Sequence, residues 1–293
     1  MSSGEPQAEV GIIGGSGVYA LDELTDVRRV RISTPFGDPS DEIVLGVLSG
    51  TRVAFVPRHG EGHRIPPSRI PARANIHALK SLGVRQILGV SAVGSLREDL
   101  VPGHLVVPDQ IIDRTREARG GTFFDQDVVV HVPFGDPYCE RLRLQVAKAA
   151  VRATETAVHD SATYLCMEGP QFSTRAESEM YRAWGCDIIG MTAIPEAKLA
   201  REAELCYAGL CMVTDYDCWR EGHEDVTAQT VVEVMRRNSV AAKRTLAALL
   251  EEGVADIECG CHSVLASSIN TSLEGLSPAA EERFALLLGK YLR

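Results

Sequence analysis

The chain is short of positive charge. Its 40 acidic residues outnumber 30 lysines and arginines, giving a net charge of −10, which argues against a nucleic-acid protein or any other general polyanion binder. A phosphate handled here is then small and held by a local cluster. Also missing is an apolar run near the roughly 20 residues that span a bilayer, so no membrane partner is expected. The leader Met1–Val10 is polar, with neither a basic start nor a long apolar stretch. It does not read as a secretory signal, which makes cytoplasmic residence the default expectation. No repeat, linker or low-complexity tract divides the 293 residues.

A cysteine framework is lacking as well. Eight cysteines are scattered without disulfide or zinc-ribbon spacing. Cys166, Cys186, Cys206, Cys211 and Cys218 sit in or beside apolar runs and read as small core residues. Cys259-Gly260-Cys261-His262 stands apart as a metal tract, a redox pair or a tail feature. A zinc site needs about four ligands and only three are local, so no metal is expected.

What the chain does have is alternation. Strand-like runs at Val10–Ile13, Val27–Ile32, Ile43–Leu48, Arg52–Val56, Gln86–Val90, Thr163–Met167, Asp187–Gly190 and Cys206–Val213 interleave with helical patterns at Pro71–Leu82, Tyr138–Ala153, Ala176–Trp184, Pro195–Ala203 and Thr227–Glu252. The expectation is one α/β domain over 10–252, behind a leader of residues 1–9. A tail, 253–293, is expected to pack on the domain or on a neighbouring subunit.

The most informative stretch is Tyr207–Trp219, YAGLCMVTDYDCW. A short apolar strand turns abruptly polar, and in extended geometry Asp215 and Asp217 point to the same side. Open α/β sheets place ligand groups at such carboxyl ends. One acid capping the next helix while the other faces water fits the spacing equally well.

Four other strands end in loops suited to a small anion. Gly14–Gly17 lets backbone approach a ligand and adds the Ser16 hydroxyl. Arg58 offers a charged fork and His59 a donor; Ser91 and Thr192 add hydroxyls. A rival reading takes Gly15-Ser16-Gly17-Val18-Tyr19-Ala20 as a dinucleotide fingerprint, but no acid ends the next strand and no long amphipathic helix follows. No lysine completes a Walker loop.

With these loops in place, the sequence resembles the trimeric purine nucleoside phosphorylase family, and more closely its 5′-methylthioadenosine phosphorylase branch. The motifs are GIIGGSG (11–17), TPFGDPSD (34–41), RHGEGH (58–63), SAVGSLRE (91–98), EGPQFSTRAES (168–178), MTAIPEAKLA (191–200) and TDYDCW (214–219). The resemblance implies a single α/β domain with a central mixed β-sheet flanked by helices. It implies a phosphate site of Ser16, Arg58, His59, Ser91, Ala92 and Thr192, with Met191 at the ribose and Phe172 against the base. His131 would reach the 5′ group of a neighbouring subunit, and Ala228, Val231 and Val232 would line an apolar 5′ pocket. A homotrimer, or a dimer of trimers, is implied too.

Ser173 and Asp215 stand where enzymes of the wider family acting on 6-oxopurines carry glutamate and asparagine. Adenine has no ring hydrogen for a glutamate to accept, whereas its exocyclic amine suits a carboxylate, so both changes point to a 6-aminopurine. A protonated Asp215, its proton affinity raised by Asp217, would protonate the departing purine while phosphate attacks the sugar. The expected reaction is phosphorolysis of 5′-methylthioadenosine to adenine and 5-methylthioribose-1-phosphate, with no cofactor beyond phosphate as co-substrate. Broader purine nucleoside phosphorolysis, hydrolysis by a nucleosidase and a non-catalytic adenine-nucleoside sensor are the alternatives.

Overall fold

The computed structural model describes residues 6–15, 23–116, 119–220, 228–253 and 259–292, and only the backbone of 228–233, 235 and 237. One mixed sheet forms the centre. Its path runs β2 (Thr25–Val30), β3 (Ile43–Leu48), β4 (Thr51–Pro57), β1 (Val10–Gly14), β5 (Gln86–Ser95), β10 (Ile188–Gly190), β9 (Thr163–Met167) and β7 (Gln110–Arg114). Off this path, β11 (Cys206–Asp215) pairs with β5 and with β6 (Leu105–Val106), which pairs with β8 (Val158–His159).

Side-chain alternation sorts the helices onto two faces. Ile13, Ile87, Val93, Tyr207 and Val213 point into a cluster with α1 (Ala72–Ser81), α4 (Ala193–Glu202) and α6 (Pro278–Leu288). Their neighbours Ile12, Leu88, Val90, Ala208 and Leu210 point the other way, to α2 (Glu140–Ala153) and α5 (Ala228–Glu251). The remaining helix, α3 (Arg175–Ala183), opens with a capping box: Thr174 accepts from the Glu177 N–H, and the Glu177 side chain accepts from the Thr174 N–H. The tail belongs to the core. Leu265, Phe284, Leu287 and Leu288 are buried in the first cluster, each contributing roughly 1.5–3 kcal/mol.

β5 is the spine. It lies parallel to β1 over residues 86–89 and to β11 over 86–94, then joins β10 in antiparallel fashion at Gly94 and Ser95. The segment Ser91–Ser95, expected as a loop, is strand, because β11 and β10 supply partners after β1 has ended. β2 runs Thr25–Val30 instead of Val27–Ile32 and is exposed along most of its length, since only β3 covers it.

Candidate active site

The acid pair sits where β11 leaves the sheet. Val213 is opposite Val93 and Asp215 opposite Gly94, so Thr214 is an extra residue in a bulge. Bulges re-aim side chains, and this one presses the Asp215 carboxylate on Gly94, where a Cβ would stand 2.9 Å from Oδ1. Asp217 has φ +51°, so the stretch is not extended and the two acids do not lie in parallel. Instead Asp215 Oδ1 accepts from the Asp217 N–H at 2.8 Å.

Hydrogen counting assigns the other oxygen. The Thr214 hydroxyl lies 2.6 Å from Asp215 Oδ2 and 3.2 Å from the Val93 carbonyl, yet it has one hydrogen. Thr214 donates that hydrogen to the nearer Asp215 Oδ2, and the Val93 carbonyl is the longer contact. Burial works against these bonds. It is the main cause raising Asp215 above the ordinary carboxylate range, opposed by hydrogen bonds from Thr214 and the Asp217 N–H; repulsion from Asp217 adds less. Asp217 is raised as well, chiefly by burial. Ser178 lies near enough to draw it down, but neither Asp217 Oδ2 nor Ser178 Oγ reaches bonding geometry.

Ser173 closes this end. Its carbonyl accepts from the Cys218 thiol at 3.2 Å, which ties the β9 loop to the β11 loop. Phe172 beside it is 46% exposed, its ring open to solvent. Met191 is half-buried, its sulfur lying where a Cβ on Gly169 would come within 2.4 Å. Thr192 opens α4, and its N–H reaches the buried Tyr164 hydroxyl at 3.5 Å.

Across β5, Ser91 and Ala92 are half-buried opposite Cys211 and Met212. The Arg58 N–H donates to the Gly14 carbonyl at 3.0 Å, which joins the ends of β1 and β4. The guanidinium itself differs from the open fork expected. It is 2% exposed and donates to Glu196 through Nε (2.5 Å) and Nη2 (3.1 Å), to Val90 O (2.8 Å) and to Ile13 O (3.1 Å). Four of its five N–H groups are thus engaged by these four bonds. Glu196 accepts also from the Tyr207 hydroxyl at 3.0 Å. His59 is held neutral, lowered to about 4 by burial and by Arg58. Its Nδ1 lies 2.9 Å from the Ile65 carbonyl and must carry the hydrogen, so Nε2 is a lone pair. Nε2 is therefore an acceptor, where a donor was expected.

Arg119 was missed. It is buried, and all five N–H groups find acceptors: Glu168 Oε2 (3.0 Å), Met191 O (2.6 Å), Ile194 O (3.0 Å), Met167 O (3.2 Å) and Glu168 O. One side chain thereby fixes the loops that carry Phe172, Ser173, Met191 and Thr192. Its partners lie 48 to 75 residues away, and no spacing rule reaches that far. Glu196 lay within a quoted motif, and a carboxylate amid apolar helix residues was a signal that it needs a buried cation.

Ser16 lies outside the described residues, as do the side chains of Ala228, Val231 and Val232. His131 is exposed, its N–H donating to Ser268 O in the tail at 2.8 Å.

Residues 9–251 match the model of the Phosphorylase superfamily. The chain belongs to that superfamily. It is 49% identical over 283 residues to a protein of Geobacter sulfurreducens named S-methyl-5′-thioadenosine phosphorylase, covering 97% of this chain and 99% of that one. Among solved structures, a methylthioadenosine phosphorylase from an Antarctic soil metagenomic library superposes with TM-score 0.92 at 46% identity, over 97% of this chain and all of that one. The Schistosoma mansoni methylthioadenosine phosphorylase, in complex with adenine, gives TM-score 0.80 at 40% identity over 85% and 93% of the two chains. The superfamily fold is the mixed-sheet α/β domain described above, as the motifs implied.

Proposed function

We propose that this protein is an S-methyl-5′-thioadenosine phosphorylase, converting 5′-methylthioadenosine and inorganic phosphate to adenine and 5-methylthioribose-1-phosphate. The observation that carries the reading is Asp215, half-buried at the β11 bulge against Gly94 and raised above the ordinary carboxylate range by desolvation.

Breaking the glycosidic bond builds positive charge on the sugar and negative charge on the purine. Asp215 hands its proton to the purine ring nitrogen, as general acids do with gains of roughly 10²–10⁴. Its carboxylate then accepts from the exocyclic amine of adenine, and Ser173 places no charge against the unprotonated ring nitrogen. Asp217 supplies the N–H that orients Asp215. Phosphate sits at the ends of β1, β4, β5 and β10, against Ser16, Ser91, the Ala92 amide, Thr192 and the His59 lone pair. With Glu196 balancing Arg58, neutral donors carry most of the anion's contacts and Arg58 adds its remaining N–H. Met191 faces the ribose and Phe172 covers the base, while Ala228, Val231 and Val232 line the 5′ methylthio group. The reaction itself draws on no metal or organic cofactor. A homotrimer in the cytoplasm fits this reading, with His131 offered to the neighbouring subunit's 5′ group; among the described residues no helix is long and apolar enough to cross a membrane.

The test is adenine release from methylthioadenosine, adenosine and inosine, with and without phosphate. Phosphate-dependent release, fastest with methylthioadenosine, is expected. Equal release without phosphate identifies a nucleosidase, faster use of adenosine or inosine identifies a broader phosphorylase, and binding without release identifies a sensor.

A further inference from the structure

The cysteine tract that lacked a fourth ligand finds two more in the fold. Cys139 stands at the N-cap of α2 and Cys206 opens β11, where backbone pairing fixes both: the Cys139 N–H donates to Tyr207 O at 2.8 Å and the Cys206 N–H to Arg85 O at 3.0 Å. The tail brings Cys259 and Cys261 to the same point. The four sulfurs lie within 4.8 Å of one another, three of the residues buried and Cys259 half-buried.

We propose that Cys139, Cys206, Cys259 and Cys261 form a tetrathiolate site for one thiophilic divalent cation, zinc in the cell. A zinc–sulfur bond of about 2.3 Å sets tetrahedral sulfurs about 3.8 Å apart, and Cys139 Sγ is 3.7 Å from Cys259 Sγ. The remaining sulfurs need move by only about 1 Å to close on the ion. Four thiolates and one zinc carry a charge of −2, and the surroundings answer it. Arg141 Nη2 donates to Cys206 Sγ at 3.6 Å while anchored to Gln86 Oε1 at 2.9 Å. His262 Nε2 lies 3.5 Å from the same sulfur. Such partners orient the ligands of metal sites and temper their charge. Pairing Cys259 with Cys261 as a disulfide instead closes a strained ring across one glycine, and thiols in the cytoplasm of most organisms stay reduced.

The ion's work here is structural. It binds the start of the tail to α2 and β11, and the tail in turn holds the segment before His131 through the Val130–Ile269 bridge. The site is separate from the phosphorolysis residues and stands whether or not that reaction is the right one.

Protein purified anaerobically, with reductant and without chelator, is expected to contain one zinc per chain by elemental analysis. After zinc removal, one equivalent of Co(II) is expected to give the visible d–d bands and sulfur-to-metal charge-transfer absorption of a tetrahedral tetrathiolate, displaced by zinc. The double substitution Cys259→Ser, Cys261→Ser is expected to abolish that spectrum and lower the melting temperature of the metal-loaded protein. Reduced wild type that binds neither metal overturns the proposal. So does an intact, metal-free chain that is four hydrogens lighter under non-reducing conditions, the mass of two disulfides. The Co(II) titration uses the wild-type chain, so poor folding of the variant leaves the test intact.

Discussion

Replacing Glu196 by glutamine separates the two duties of Arg58. The side chains of the pair are 2% and 3% exposed, and glutamine keeps the shape while leaving a buried cation without its counter-charge. Breaking such a pair costs about 3–5 kcal/mol, a large part of the roughly 5–15 kcal/mol that holds a domain together. At about 2–4 °C per kcal/mol for a chain of this size class, the variant melts roughly 10 °C lower. Phosphate then acts in the opposite direction. An anion on the remaining Nη1 N–H lies about 7 Å from the carboxylate, where repulsion at an effective dielectric of about 20 amounts to about 2 kcal/mol per charge. Removing it tightens phosphate by roughly thirtyfold. Melting curves with and without millimolar phosphate, together with the phosphate KM, read both effects. The expected result is a less stable variant that phosphate rescues more strongly than it does wild type, with a lower phosphate KM. Equal phosphate shifts in the two proteins refute the reasoning and leave Arg58 as a bolt between strands.

Asp215→Asn removes the acid: methylthioadenosine turnover falls about 10²–10⁴-fold, while relative use of 6-oxopurine nucleosides rises; an unchanged inosine-to-adenosine ratio of kcat/KM contradicts the base-recognition argument. Because Asp215 works protonated, the rate declines as pH rises through its raised pKa. Burial outweighs Asp217 in raising it, so Asp217→Asn moves that limb to lower pH without returning it to the ordinary carboxylate range; a pH–rate profile that does return there overturns this ranking. Arg119→Lys leaves carbonyls without donors at about 1–3 kcal/mol each, and steady-state kinetics are expected to show the nucleoside KM rising more than the phosphate KM. Burial pushes Glu202 from 4.5 up to about 7. Across that window the folded state keeps a proton the unfolded chain has released, so this group's contribution falls as pH rises. Denaturant melts should show Glu202→Gln gaining up to about 3 kcal/mol on wild type between pH 5 and 7.

Local patterns were legible where local physics decides. Helices α1 to α5 were readable to within about two residues because apolar periodicity and stop signals set their ends, as at Gly83 and Gly185, whereas α6 in the tail was not read. The loops that gather at the strand ends were readable because glycine, hydroxyl and charge stood beside each apolar run. What could not be read is set by partners distant in sequence. Ser91–Ser95 looked like a loop by composition, and only β10 and β11 make it strand. Arg58 looked like a free cation, and Glu196, 138 residues on, engages it. The acid pair was placed correctly at the end of β11, but the extra residue Thr214 and the positive φ of Asp217 replaced the parallel pair with a turn. Cys206 read as core and Cys139 drew no reading at all, and only the fold brings the tail cysteines to them.

The spine strand β5 also works as a ruler. In the proposed reaction Ser91 and Ala92 would border the anion and Gly94 backs Asp215, so about three residues, roughly 10 Å of one strand, would set the span from nucleophile to leaving group. Altering that span means breaking ladders on both flanks of the sheet. Changes in nucleoside preference therefore fall to the loops at either end, and the gauge between them stays fixed.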